Sequence, residues 1–369
     1  MANSNDLKLF TNYKVGNISL SNRVVMAPMT RCRAIDHIPN DLIATYYGQR
    51  ATAGLIITEG TAPSPNALGY ARIPGLFNEA HVEGWKKTTE AVHQRGGKIF
   101  IQLMHTGRVS HPDNMPEGSR VIAPSAVALT QTKMYVDGQG ELEMPVAEEM
   151  SIDDITSTIQ EYVHAARLAI EAGFDGVELH GANGYLMDQF INTASNKRTD
   201  HYGGSIENRS RFAIEVAEAV VNAIGAERTG IRLSPFGVFN EMEIFEDMED
   251  TFVYLATQLN RLNLAYIHLV DHSAMGAPEV PAEIKRKIRK VFNNTLILSG
   301  GYDKERAEND LNEGHADLIA FGRPFIANPD LVNRMAENAE RAMPDFDTFY
   351  TPGEKGYIDY PYLKEESTL

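Results

Sequence analysis

SIDDITSTIQEYVHAARLAIEAGFDGVELHG (residues 151–181) decides the fold. Within it Ile155, Ile159, Tyr162, Val163, Ala166 and Ile170 recur at spacings of three and four, the stripe of an amphipathic helix. Ser151, with Asp154 three residues later, signals the helix start, and Gly173 stops it. A short run built on Val and Leu, GVELHG (176–181), follows at once. Runs of the same kind return at 24–29 (VVMAPM), 55–60 (LIITEG), 98–104 (KIFIQLM), 230–235 (GIRLSP), 266–271 (YIHLVD), 296–301 (LILSGG) and 318–323 (LIAFGR). Strands that alternate with helices and lack a polar face are parallel and buried on both sides. Eight of them predict an α/β fold, a (β/α)₈ TIM barrel in preference to an open doubly wound sheet.

The connections are uneven. Residues 106–150 carry Pro112, Pro116, Gly118, Pro124, Gly138, Gly140 and Pro145, with alternation around Lys133–Val136, so a long loop with a hairpin should cap the barrel after the third strand. No composition shift, repeat or low-complexity tract divides the chain, and one domain over 1–369 is expected. The net charge of −16 argues against a grip on nucleic-acid backbones. A lone cysteine, Cys32, rules out an intrachain disulfide, a four-cysteine zinc site and a cysteine-ligated iron–sulfur cluster, and suits the cytoplasm. The opening MANSNDLKLF lacks a basic stretch followed by a long apolar run, and no segment approaches the roughly 20 apolar residues of a membrane helix. The expectation is a soluble, unprocessed cytoplasmic protein, monomeric or homodimeric, with no membrane partner.

Chemistry in such barrels sits at the carboxyl ends of the strands. Gly300-Gly301 and Gly322-Arg323 fall where barrels bind phosphate, with glycine backbone approaching the oxygens and Arg323 able to chelate them; tight turns with a structural ion pair are the alternative. His180 and Asn183 lie three apart beyond strand four, and on a helical turn both would face one way and could hold one oxygen, with Tyr185 placed to give a proton. The plainer reading makes His180 a satisfied core histidine and Tyr185 a packing aromatic. Arg232, inside an apolar strand, needs an acceptor, either Glu59 or Glu178 or an electron-rich cofactor. Gln102 can both donate to and accept from a planar heterocycle, and Thr30 offers a hydroxyl. No metal is expected: His268 and His272 are four apart, but on a strand and its exit rather than one helical face. GxGxxG, GxxxxGK[ST] and GxSxG are all absent, and no strand end carries the lysine that pyridoxal phosphate needs.

The stretches APMTRCRA (27–34), IQLMHTGR (101–108), HGANGYLMDQF (180–190), RTDHYGGSIENRSRF (198–212), FGRPFIANPDL (321–331) and GYIDYP (356–361) resemble the Old Yellow Enzyme family of FMN-dependent ene-reductases. The resemblance spans essentially the whole chain. It implies a barrel holding FMN tightly without a covalent bond. NADPH or NADH would give hydride to the flavin, which would pass it to the β-carbon of an alkene activated by a carbonyl or nitro group. It further implies that His180 and Asn183 hold the substrate oxygen and that Tyr185 protonates the α-carbon. Thr30 would tune the flavin near its C4 carbonyl, Gln102 and Arg232 bind the pyrimidine end, backbone at Pro28, Met29 and Gly60 touch the ring, and Gly300, Gly301, Gly322 and Arg323 hold the phosphate. Tyr70, Phe349 and Tyr350 would line the substrate pocket, with Met104 where many relatives carry tryptophan; Thr30 and Asn183 are the choices of the classical branch. Two alternatives stand beside this reading: a reductase mainly of nitro-esters or nitroaromatics, and a flavin-binding protein without turnover.

Overall fold

In the computed structural model, which describes residues 7–364, eight parallel strands close into one barrel in chain order. They are β1 (Val24–Met26), β2 (Leu55–Thr61), β3 (Ile99–Leu103), β4 (Gly176–Gly181), β5 (Thr229–Leu233), β6 (Tyr266–Val270), β7 (Thr295–Ser299) and β8 (Leu318–Phe321), with β8 paired to β1 through Ile319 and Val24. The surrounding helices are α1 (Asp41–Gln49), α2 (Glu79–His93), α3 (Ile152–Glu171), α4 (Ile206–Ile224), α5 (Met248–Arg261), α6 (Ala282–Val291), α7 (Lys304–Asn312) and α8 (Leu331–Glu337). The predicted start of α3 is a reciprocal capping box: Ser151 Oγ accepts from Asp154 N at 3.1 Å while Asp154 Oδ2 accepts from Ser151 N at 2.9 Å. β7 and β8 end two residues before the expected boundary, because Gly300-Gly301 belongs to the following turn and Gly322-Arg323 to the start of a short helix.

Period-two alternation sorts each strand into an outward face packed on helices and an inward face. Val24, Met26, Ile56, Ile101, Val177, Leu179 and Ile231 join the large cluster beneath the helices, whereas Val25, Leu55, Ile57, Phe100, Tyr266, Ile297, Leu318 and Ala320 fill the barrel. Gly230 makes room for this filling, since a Cβ there would lie 2.3 Å from the Tyr266 ring. An antiparallel hairpin, Tyr13–Val15 with Ile18–Leu20, adds Val15 and Leu20 to the inner cluster and so plugs the N-terminal end.

The loop after β3 does carry a hairpin, Lys133–Val136 against Gly140–Glu143. Met134 and Met144 bury their side chains with Val109 and Leu129 over Tyr70 and Tyr185. Its root is held by the 198–212 string: Arg198 pairs with Asp200 and donates to Pro124 O and Met150 O at 2.9 and 2.6 Å. Among the described residues no helix is long and apolar enough to cross a membrane.

Candidate active site

Toward the carboxyl ends of the strands the inward positions turn polar, and their register explains who meets whom. Gln102 lies opposite Glu178, and His180 opposite Arg232, which lies opposite His268. Gln102 Nε2 donates to Glu178 Oε1 at 2.8 Å, Glu178 Oε2 bonds His268 Nδ1 at 2.9 Å, and His268 Nε2 meets Ser299 Oγ at 3.0 Å. With one amide hydrogen so engaged, Gln102 keeps its oxygen and a second N–H for a ligand. A β-bulge between Ile57 and Gly60 sets Gly60 opposite Gln102 and turns Glu59 away, where it accepts from Arg31 N at 3.2 Å and burial pushes its pKa up to about 7.

Neither carboxylate proposed as a partner for Arg232 pairs with it. Glu59 faces Arg31 and Tyr47, and Glu178 is taken by Gln102 and His268. The Arg232 guanidinium forms no hydrogen bond or ion pair among the described residues, and its Nε is buried without a partner. Burial lowers its pKa, with Glu178 nearby opposing the shift. Burial, and then the Arg232 charge, holds the pKa of His180 well below its usual value; the same two causes bring His272 down to about 4. Both imidazoles are therefore neutral donors at neutral pH, and Arg232 is the one concentrated charge among them.

The expected helical turn joining His180 to Asn183 does not form. His180 stays in β4, and Asn183 takes a left-handed conformation (φ +62°) before a short helix begins at Leu186. The reversal still delivers both side chains to one cavity. Tertiary contacts impose it: Asn183 N donates to Ser234 Oγ at 2.9 Å, Asn240 Nδ2 donates to Asn183 O at 2.8 Å, and Gly184 N donates to Asp188 Oδ2 at 2.8 Å. Burial raises the Asp188 pKa to about 7. Tyr185 stands just before the first residue of the short helix; its hydroxyl lies 3.0 Å from that of Tyr70 and its ring 5.1 Å from His180. Burial pushes Tyr185 up to about 12, so it keeps its proton.

Two adjoining cavities of about 640 and 680 Å³ occupy this end of the barrel. The first is lined by Pro28, Met29, Thr30, Asn183, Arg232, Gly300, Gly301, Gly322, Arg323, Phe349 and Tyr350. The second is lined by Pro28, Thr30, Gly60, Tyr70, Gln102, Met104, His180, Asn183, Tyr185, Arg232 and Tyr350. All the candidate residues thus fall on one continuous wall. Its glycines differ in purpose. At Gly300 the backbone has φ +129° and a Cβ would lie 2.1 Å from Asp271 O, whereas at Gly322 the nearest atom would be Met29 Sδ at 3.5 Å, leaving room for a ligand. At Gly60 a Cβ would crowd Met104 Sδ at 2.5 Å.

Sequence reasoning missed the roof. Arg31 donates to Phe349 O and Gly356 O at 3.0 and 2.7 Å, and Arg33 to Thr348 O and Phe349 O, both at 2.7 Å. Arg72 joins Tyr350 O, Cys32 O and Asp137 of the hairpin. These arginines strap residues 348–356 across the cavity, and the alternation Arg31-Cys32-Arg33 was the available signal. His272, read only as a metal candidate, lines both cavities and bonds Asn183 at 2.8 Å.

An orphaned buried guanidinium, an amide with free donor and acceptor, and an open glycine-lined end beside Arg323 fit a planar, electron-rich group with a phosphate tail. Residues 8–342 match the model of the NADH:flavin oxidoreductase / NADH oxidase family. The chain is 44% identical over 366 residues to 12-oxophytodienoate reductase 1 of Oryza sativa subsp. japonica, covering 97% of this chain and 94% of the relative. It is 44% identical over 354 residues to a "probable flavin mononucleotide-dependent alkene reductase" of Leishmania infantum, covering 95% and 96%. The solved structure of morphinone reductase in complex with tetrahydroNAD superposes with a TM-score of 0.93 at 44% identity, covering 98% of this chain and 99% of that one.

Proposed function

The chain belongs to the NADH:flavin oxidoreductase / NADH oxidase family and is an oxidoreductase of the Old Yellow Enzyme type, and from this premise we propose that it reduces the C=C bond of α,β-unsaturated carbonyl and nitro compounds with NADPH or NADH. The chemistry FMN supplies when bound is hydride transfer in two halves, from the nicotinamide and then to the alkene β-carbon. Gln102 and Arg232 would hold the pyrimidine end of the ring, with Thr30 and the backbone of Pro28, Met29 and Gly60 beside it. Arg232 would supply a positive charge beside that end of the ring. Gly300, Gly301, Gly322 and Arg323 hold the phosphate, and the group stays without a covalent bond.

His180 and Asn183 donate to the substrate's carbonyl or nitro oxygen, which stabilises charge developing there. Tyr185 gives its phenolic proton to the α-carbon. Tyr70, Met104, Phe349 and Tyr350 shape the pocket and exclude water. The observation that carries this reading is the convergence of two neutral donors and a protonated phenol on a cavity that the buried Arg232, its Nε without a partner, also lines. A flavin store without turnover would have no use for the first three. The reading also treats residues 1–369 as one FMN-binding unit in the cytoplasm.

The test is an anaerobic visible spectrum before NADPH, after it, and after 2-cyclohexenone. A flavin band that bleaches and then returns supports the proposal. A protein that is colourless and takes up no FMN, or a bleached band that 2-cyclohexenone and nitroalkenes fail to restore, overturns it.

A further inference from the structure

A terminal amide can rotate by half a turn, exchanging a two-hydrogen donor for an acceptor within nearly the same volume. The three backbone bonds around Asn183 and Gly184 fix where the Asn183 side chain begins but not which end of its amide faces the cavity. Among the described residues that choice falls to the one side chain bonded to the amide: Asn183 Oδ1 lies 2.8 Å from His272 Nε2. His272 stands just past the end of β6, and its ring packs against Phe239 with centroids 4.4 Å apart. It is neutral at neutral pH, since burial holds it down at about 4, and so carries a single ring proton. A neutral imidazole beside a carbonyl oxygen must place that proton between them, or two acceptors would face each other.

We propose that His272 is the positioning residue of the oxygen-binding pair: its Nε2–H donates to Asn183 Oδ1, which turns both Nδ2 hydrogens toward the cavity where the substrate oxygen is held. With the amide reversed, Asn183 would present an acceptor to an acceptor. The inference rests on the reading of Asn183 as an oxygen-binding donor. It assigns to His272 no contact with substrate, and gives physical content to a histidine that the reaction otherwise does not use.

The test is calorimetric titration of the oxidised holoenzyme with 2-cyclohexenone, which without a nicotinamide binds and is not turned over. His272→Phe keeps the packing on Phe239 and cannot donate; His272→Gln restores a donor; Asn183→Ala and the Asn183→Ala/His272→Phe double variant close the cycle. Loss of an orienting hydrogen bond leads us to expect roughly 10-fold weaker binding in His272→Phe. His272→Gln should stay within about twofold of wild type if its amide donates in the same place. In the Asn183→Ala background His272→Phe should change nothing further, because residues acting through one another are non-additive. Equal losses from His272→Phe with and without Asn183 would show that the histidine acts by packing alone and overturn the proposal. So would an unchanged affinity in His272→Phe while Asn183→Ala binds more weakly, a result that leaves the reading of Asn183 standing. If Asn183→Ala itself binds the enone as wild type does, that reading fails and the role of His272 falls with it. Should His272→Phe not retain flavin, His272→Leu carries the same comparison.

Discussion

Replacing Arg232 by Met should stabilise the apoprotein while weakening its hold on FMN, so that the gain in stability shrinks or vanishes in the holoprotein. In the apoprotein the guanidinium is buried with no ion pair among the described residues and an unpartnered Nε. A buried unsatisfied donor costs about 1–3 kcal/mol, and replacing a buried ion with an apolar chain of similar length is often stabilising by about 1–4 kcal/mol. We take a gain of about 2 kcal/mol. At about 2.1 cal/mol/K per residue, 369 residues give an unfolding entropy near 0.8 kcal/mol/K, so the apoprotein Tm should rise by about 2 to 3 °C. FMN in turn loses a charge-assisted contact of about 1.5–3 kcal/mol, which weakens its binding roughly 10- to 150-fold. Thermal scans of flavin-stripped protein, with and without saturating FMN, read the first quantity, and quenching of FMN fluorescence on titration reads the second. An apoprotein destabilised as much as the holoprotein would mean that Arg232 is satisfied by the protein itself and does not wait for a ligand.

Tyr185→Phe should slow reoxidation of the reduced enzyme by 2-cyclohexenone about 100-fold or more, the usual worth of a general acid, while leaving reduction by NADPH intact; equal losses in stopped-flow traces of the two halves would refute the proton-donor role. Because Tyr185 is held at about 12, it imposes no pH dependence on reoxidation between about pH 6 and 9, and a fall centred in that range would assign the proton elsewhere. Gly322→Ala should fold as wild type and bind FMN less tightly, whereas Gly300→Ala, with its Cβ driven onto Asp271 O, should cost on the order of 3 kcal/mol of stability; urea titrations showing the two alike would refute the distinction. Asp188 has a folded-state pKa of about 7, above the unfolded value, so the folded protein binds more protons and Asp188's contribution to stability declines as pH rises from about 4 to 7. Asp188→Asn keeps an acceptor for Gly184 N without ionising, and should gain on wild type across that window by at most about 1.4 kcal/mol per pH unit; a difference that does not grow between pH 5 and 8 would refute the assignment.

The barrel was legible because its strands read as short, mostly apolar runs without period-two alternation and α3 announces both ends, through Ser151 and Gly173. The hairpin at 133–143 was legible from alternation flanked by glycines. The short plugging strands at 13–20 were not, since three residues carry no usable period. At the site, residue types at strand ends were readable, but local spacing misjudged how they meet. Asn183 leaves the helical region because Ser234 and Asn240, more than fifty positions away, hold its backbone. Arg232 lacks its expected carboxylate because the bulge before Gly60 turns Glu59 outward, which no count along the sequence reveals.

The arginine strap bears on the order of assembly. Arg31 and Gly356 are 325 positions apart, and closing a flexible loop of that length costs about 5 kcal/mol in chain entropy. Barrel closure meets the same cost, because β1 pairs with β8 through Val24 and Ile319. Once those strands have joined, only the short span from Phe321 to Thr348 remains to be tied down, and five carbonyls wait for two guanidiniums already in place. Barrel closure and the strap thus share one entropic cost, and whichever forms first leaves the other only a short loop to close.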